Sequence, residues 1–222
     1  QSGSMRELVV HQWRPLLLSF AVTMGGTVAF YTYSVNGPNI IKGAFSGGDV
    51  ITGTTINLVA LTTLMLLQPL GGWLSDKVGR KSLLVFFGIG GVLYTWFLIT
   101  VLPQQTNPFI AFAILVVGFV ILTGYTSINA VVKAQLFPTH IRALGVGFGY
   151  ALANSAFGGT APLLYAGALS ADQVTLFIVY VTAVIAISLF VYIVYLRNTG
   201  PTWLDDEVAM RERDEARTLA KT

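Results

Sequence analysis

Gly72-Trp73-Leu74-Ser75-Asp76-Lys77-Val78-Gly79-Arg80-Lys81-Ser82-Leu83-Leu84 is a short charged connection between two long apolar runs, residues 51–74 and 82–102. Each run has the roughly 20 residues that a helix needs to cross the hydrocarbon of a bilayer. Runs of the same kind lie on either side, at residues 15–35, 109–132, 141–169 and 174–197. Only helices and closed barrels satisfy their own backbone in lipid, and these runs have helical length. The sequence therefore predicts an all-α integral membrane protein, a six-transmembrane-helix bundle over residues 15–197.

The charges fix its orientation. Of 13 Lys and Arg, only Lys42 falls on the first, third or fifth connection. The others flank the N-terminus, the second and fourth connections and the C-terminal tail, which by the positive-inside bias predicts a multi-pass protein of the cytoplasmic (plasma) membrane with both termini cytoplasmic. Asp49 and Asp172 fall on the outer side, which the rule permits because it counts basic residues and not net charge.

Composition excludes several function classes. The 222 residues are 54% hydrophobic and 10% charged, against about 25% charged in an ordinary soluble domain. The formal charge of +3 speaks for anionic headgroups and orientation, not for nucleic acid. Without cysteine there is no disulfide, thiolate metal site or cysteine nucleophile. No nucleotide-binding loop, zinc ligand set or nucleophile–base pair is present, and Gly147-Phe148-Gly149 has helical spacing rather than that of a phosphate cradle. No enzymatic activity, metal or cofactor is expected.

Outside the bundle, residues 1–4 (Gln-Ser-Gly-Ser) read as the remnant of an expression tag ahead of Met5. Residues 5–14 form a cytoplasmic N-terminal segment. Residues 198–222 form a charged tail running through Asp205-Asp206-Glu207 and Arg211-Glu212-Arg213-Asp214-Glu215, a mixed-charge pattern that reads as a solvated helix or frayed end.

In the central connection each residue type has a physical use. Gly72 lets another helix approach closely and Gly79 allows unusual dihedrals in a tight turn. Asp76 accepts hydrogen bonds from a helix N-terminus, and Arg80 pairs with carboxylate or phosphate. Lys77, Arg80 and Lys81 alone would serve as a topology anchor, but the full Gly-x-Leu-Ser-Asp-Lys-x-Gly-Arg-Lys order is more specific than that. It resembles the cytoplasmic signature of the major facilitator superfamily. Further matching stretches are Phe30-Tyr31-Thr32-Tyr33, Thr126-Ser127-Ile128-Asn129, Lys133-Ala134-Gln135-Leu136-Phe137-Pro138, Ile141-Arg142-Ala143-Leu144-Gly145-Val146-Gly147, Ala153-Asn154, Phe157-Gly158-Gly159-Thr160 and Tyr180-Val181-Thr182. Together they are similar to the metabolite:proton symporter family, nearest to its α-ketoglutarate permeases, from Arg6 to about Asp205.

The resemblance implies a C-terminal six-helix half of a transporter with about twelve helices in two halves. The segment from Arg6 to Arg14 resembles the end of that family's central cytoplasmic loop, which implies a truncated chain beginning at Met5, with a natural half-length protein as the alternative. Two departures from the family pattern stand out. Gln135 replaces the usual Glu, so it can hydrogen-bond Arg142 but cannot neutralise it. Ser34-Val35-Asn36-Gly37-Pro38-Asn39 differs from relatives at the outer end of helix one. By resemblance, Asp76, Arg80, Gln135 and Arg142 form the cytoplasmic gate.

Polar groups within a span must find partners, and those on one face suggest either a wet cavity or packing between helices. Thr23, Thr27, Tyr31 and Ser34 recur at three- or four-residue spacing in helix one. Tyr125 with Asn129, and Tyr150 with Asn154, repeat that spacing in helices four and five. Tyr31, Asn36, Asn129, Tyr150 and Asn154 are the candidate solute contacts. Gly145, Gly147, Gly149 and Ala153, and separately Ala151, Ser155 and Gly159, read as small-residue helix-contact faces. His11 and His140 read as cytoplasmic surface residues, and Lys133 as a snorkelling side chain at the inner boundary, with a solute role as the lesser reading.

No Asp or Glu falls well inside a span, although a proton-coupled carrier needs a titratable group in its pathway. By resemblance, that group belongs to the N-terminal half. The expected function is half of a proton-coupled secondary transporter for a small organic acid resembling α-ketoglutarate, working by alternating access in contact with lipid, solute and proton. The alternatives are a betaine- or proline-type zwitterion symporter, or a transport-incompetent six-helix half that folds or self-associates as a homodimer. The partner would be an N-terminal six-helix half or a second copy of the chain.

Overall fold

The computed structural model describes residues 5–45, 50–196 and 210. Among these, the long elements are all helical. A short α1 (Met5–His11) leads into α2 (Trp13–Tyr31), which passes through a π-helical turn, Thr32–Asn36, into α3 (Gly37–Ala44). Then follow α4 (Val50–Val78), α5 (Arg80–Val101), α6 (Pro108–Thr126), α7 (Asn129–Ala134), α8 (Thr139–Ala153), a second π-helical turn Asn154–Gly158, α9 (Ala161–Ser170) and α10 (Val174–Tyr195). Five helical stretches, 13–44, 50–78, 80–104, 108–134 and 174–195, are long and apolar enough to cross a membrane. The sixth expected span, residues 141–169, is not one continuous helix: it breaks at Gly159 and Thr160, just before Pro162 opens α9. A proline has no N–H to give to the carbonyl four residues back, and its ring crowds that carbonyl. The tag remnant, Asp49, Arg197 and most of the charged tail lie outside the described residues.

Neighbouring helices follow one another in the order α8, α2, α10, α5, α6, α4, and α2 also touches α6. Helix one is the most enclosed of the long helices and α4 the least, with 61% and 28% of their most apolar stretches buried. Close backbone approach holds the centre together, as expected where lipid supplies no hydrophobic drive for helices to associate. Gly25 in α2 faces Ser188 in α10, and a Cβ there would collide with the serine side chain. The Gly25 N–H donates to Ser188 Oγ at 2.9 Å, Ser188 Oγ donates to the Ala21 carbonyl at 2.6 Å, and Tyr192 donates to the Val22 carbonyl at 3.0 Å. On the next face, Tyr33 and Thr95 hydroxyls lie 2.8 Å apart, joining helix one to α5.

The α4–α5 connection is a single residue. Gly79 takes φ 90° and ψ 145°, a region closed to side chains with a Cβ, and its N–H bonds to the Ser75 carbonyl at 2.9 Å. Lys81, at the start of α5, reaches across to the Ile193 carbonyl near the end of α10 at 2.7 Å. The N-terminal segment is a helix docked on the bundle: Leu8 is fully buried against Phe137 and Ile141, while Glu7 meets His140 at 2.7 Å.

Candidate functional site

Three segments of the bundle are discontinuous, and they carry the candidate solute contacts. Helix one changes to π geometry at Thr32–Asn36, α6 and α7 are separated at Ser127 and Ile128, and α8 changes to π geometry at Asn154–Gly158. By contrast, α4, α5 and α10 run unbroken. In the two π turns the Gly37 N–H bonds to the Thr32 carbonyl and the Gly159 N–H to the Asn154 carbonyl, each across five residues. Pro38 and Pro162 follow these turns, so the widened turn accommodates carbonyls that the prolines leave without a donor.

The two π-bearing segments meet. Thr27 Oγ1 donates to Asn154 Oδ1 at 3.1 Å. One helical turn further along, the Tyr31 ring packs over Gly158 where a Cβ would otherwise lie. Thr27 and Asn154 each fall near the midpoint of their segment, 13–44 and 139–170. The structure thus brings Tyr31 and Asn154 onto a shared interface with Thr27. Asn36 stands apart from that contact: it is 2% exposed and its Nδ2 has no hydrogen-bond partner. Asn129 makes a local bond, Nδ2 to the Thr126 carbonyl at 2.9 Å, across the α6–α7 break. That break means Tyr125 and Asn129 do not share one continuous helix as their spacing predicts.

Tyr125 crosses the bundle instead. Its ring lies over Gly26 of α2, and its hydroxyl reaches the Thr23 carbonyl at 3.5 Å with the Thr27 hydroxyl as a further neighbour. On its other side is a cation. The expectation that Lys133 snorkels to water is overturned, since the residue is only 1% exposed. Its Nζ lies 4.7 Å from the centre of the Tyr150 ring and 5.7 Å from that of Tyr125. The short α7, restarted after the break, turns this side chain inward. Tyr150 itself is 48% exposed, so one wall of the lysine's surroundings opens outward. The sequence showed a basic residue at a helix end but gave no sign of its direction.

Residues 5–203 match the sugar (and other) transporter family. The chain belongs to the major facilitator superfamily. It is 33% identical to the α-ketoglutarate permease of Escherichia coli K12 over 199 residues, which is 89% of this chain and 45% of that one. It is 30% identical to an ectoine/proline transporter of Corynebacterium glutamicum over 71% of this chain and 31% of that one. It is also 27% identical to a citrate-proton symporter of Klebsiella pneumoniae over 68% of this chain and 34% of that one. The chain thus spans less than half the length of these relatives. No solved structure matches it. As a superfamily member with five helical stretches long and apolar enough to cross a bilayer, it is a multi-pass membrane protein, and the relatives it resembles are permeases, transporters and symporters rather than enzymes.

The superfamily's signature loop is displayed at one end of the molecule. Asp76 is exposed near the end of α4 and Arg80 begins α5. Arg142, in α8, gives its Nε–H to the carbonyls of Ala134 and Phe137 at 2.9 and 3.2 Å, on either side of Gln135. α4 packs on α3, α5 and α6, whereas α8 packs on α2, so the four gate candidates divide between opposite flanks of the bundle. Gly71, not Gly72, provides the close approach, against Ser127 and Thr123 of the α6 end. Among the described residues nothing comes within 4 Å of a Cβ at Gly72 or Gly147, while Gly149 faces Ser19 and Gly145 faces Phe137. Ala151, Ser155 and Gly159 are exposed.

Proposed function

We propose that the chain is the C-terminal half of a proton-coupled secondary transporter that moves a small organic acid by alternating access, with Thr139–Ser170 serving as a sixth, interrupted span. The carrying observation is the coincidence of helix breaks with polar residues. Broken helices at mid-membrane depth free backbone groups only where a cavity or neighbouring protein can take them up, and transporters use such breaks for solute sites. The Thr27–Asn154 contact joins two interrupted segments near their midpoints. Names of relatives supply both an organic-acid reading, from the α-ketoglutarate permease and the citrate-proton symporter, and a zwitterion reading, from the ectoine/proline transporter.

On this reading both termini are cytoplasmic in the plasma membrane, and Asp76, Arg80, Gln135 and Arg142 act on the inner face. Tyr31, Asn129, Tyr150 and Asn154 line the solute path, with Asn36 at the π turn beyond it. The exposed stripe Ala151, Ser155 and Gly159 and the open Gly72 support a second six-helix half against this one. A second copy of the chain is the other occupant, in which case the isolated protein is a homodimer. Mass measurement in mild detergent separates the two: a strict monomer removes the homodimer.

Uptake by proteoliposomes tests the transporter reading. The chain, reconstituted with the matching six-helix half, takes up labelled organic acid in response to an imposed proton gradient. If no organic acid or zwitterion accumulates, the reading fails. If Asp76→Ala, Tyr31→Phe and Asn154→Ala all leave uptake unchanged, the residue assignments fail.

A further inference from the structure

Lys133 is a cation inside the bundle, 1% exposed. Among the described residues no Asp or Glu reaches its ammonium, and its close neighbours are the faces of Tyr125 and Tyr150. A buried charge is costly unless paired, and aromatic faces offset only a part of that cost. Ionisable side chains held in such places within membrane proteins mark substrate, ion or proton pathways.

We propose that the Lys133 ammonium, held between Tyr125 and Tyr150, is the group that receives a carboxylate of the solute, and that it selects organic-acid anions over zwitterions. The inference rests on reading the chain as part of a solute transporter. The two tyrosines settle the sign of the selected charge. Aromatic faces attract quaternary ammonium groups, but here Lys133 already occupies them, so a betaine-like head would meet a like charge. A carboxylate meets an ammonium with three donors and a half-exposed ring, Tyr150, through which it can enter. Asn129 lies one helical turn before Lys133, and Asn154 one turn after Tyr150. Tyr125 connects the cation to the midpoint contact through its neighbour Thr27, so an anion arriving at Lys133 is felt at the junction of the two interrupted helices.

The test is thermal unfolding of the purified 222-residue chain in mild detergent with α-ketoglutarate, glycine betaine or phosphatidylglycerol as probe. With the wild-type chain, α-ketoglutarate raises the midpoint in a concentration-dependent way. In Lys133→Met the half-maximal concentration rises at least tenfold, while Lys133→Arg stays within about threefold of wild type. Without ligand, Lys133→Met melts no lower than wild type, because an unmatched charge has been removed; a purely structural strut would melt lower. Lys133→Gln serves if the methionine variant does not fold. The proposal is overturned if the neutral variants keep the wild-type response, if the wild type shows none, or if the larger Lys133-dependent shift comes from betaine. A response to phosphatidylglycerol alone overturns it too, since the cation would then serve a headgroup. Absence of an α-ketoglutarate shift in the wild type, with intact proton-driven uptake of another solute, sinks this inference alone; absence of all uptake sinks the transporter reading.

Discussion

At the scale of single residues, the strongest constraint is Gly79. Its backbone lies where only glycine sits without strain, between two long helices with no other linking residue. Gly79→Ala is expected to destabilise the chain by about 1–3 kcal/mol, read as a lower unfolding midpoint in detergent, while Gly72→Ala, at an open position inside α4, leaves the midpoint no lower than wild type. The Thr27–Asn154 bond makes the opposite kind of prediction. Hydrogen bonds between membrane helices contribute about 0.6 kcal/mol on average, so Thr27→Val or Asn154→Ala changes the midpoint little. On the proposed function the same replacements reduce uptake at least tenfold. Equal and small effects on both measurements would make the pair packing alone.

Among elements, Pro38 and Pro162 follow the two π turns, whereas the α6–α7 break has no proline and α4 runs on through Pro69. Pro162→Ala restores one donor to the carbonyl of Gly158, worth roughly 1 kcal/mol, and should join α8 to α9. The variant is expected to melt higher and, if the interruption serves the solute path, to transport more slowly. Amide exchange at residues 158–162 should slow in parallel. The unbroken helices α4, α5 and α10 were legible from apolar length and flanking charge, and the tight turn at Gly79 from residue type. The π turns were not, because Pro38 and Pro162 could as well mark ends of helices, and the choice depends on neighbours that satisfy the opened backbone. Lys133 was hidden for a related reason: a break two residues before α7 rotates everything after it, and no periodicity carries across a break. Tyr125 over Gly26 is likewise a contact between helices remote in sequence, chosen by packing.

On the proposed topology the whole molecule is organised by sidedness. A lysine reagent that cannot cross the membrane, added outside intact cells, should label the exposed Lys42 and spare Lys77 and Lys81, with the reverse result on sealed inside-out vesicles. Lys133 should stay unmodified from either side because it is 1% exposed. Labelling of Lys77 from outside would invert the proposed topology. Length adds something that charge does not. With 29 residues, α4 is about 43 Å long at 1.5 Å per residue, against a hydrocarbon thickness of roughly 30 Å. Either the rod leans or its last turns project past the headgroups, and a polar end at Ser75-Asp76-Lys77 favours projection. On that topology the signature loop stands in the aqueous phase as a lever arm whose reach depends on bilayer thickness, so acyl-chain length becomes a quantity to which this end of the protein responds.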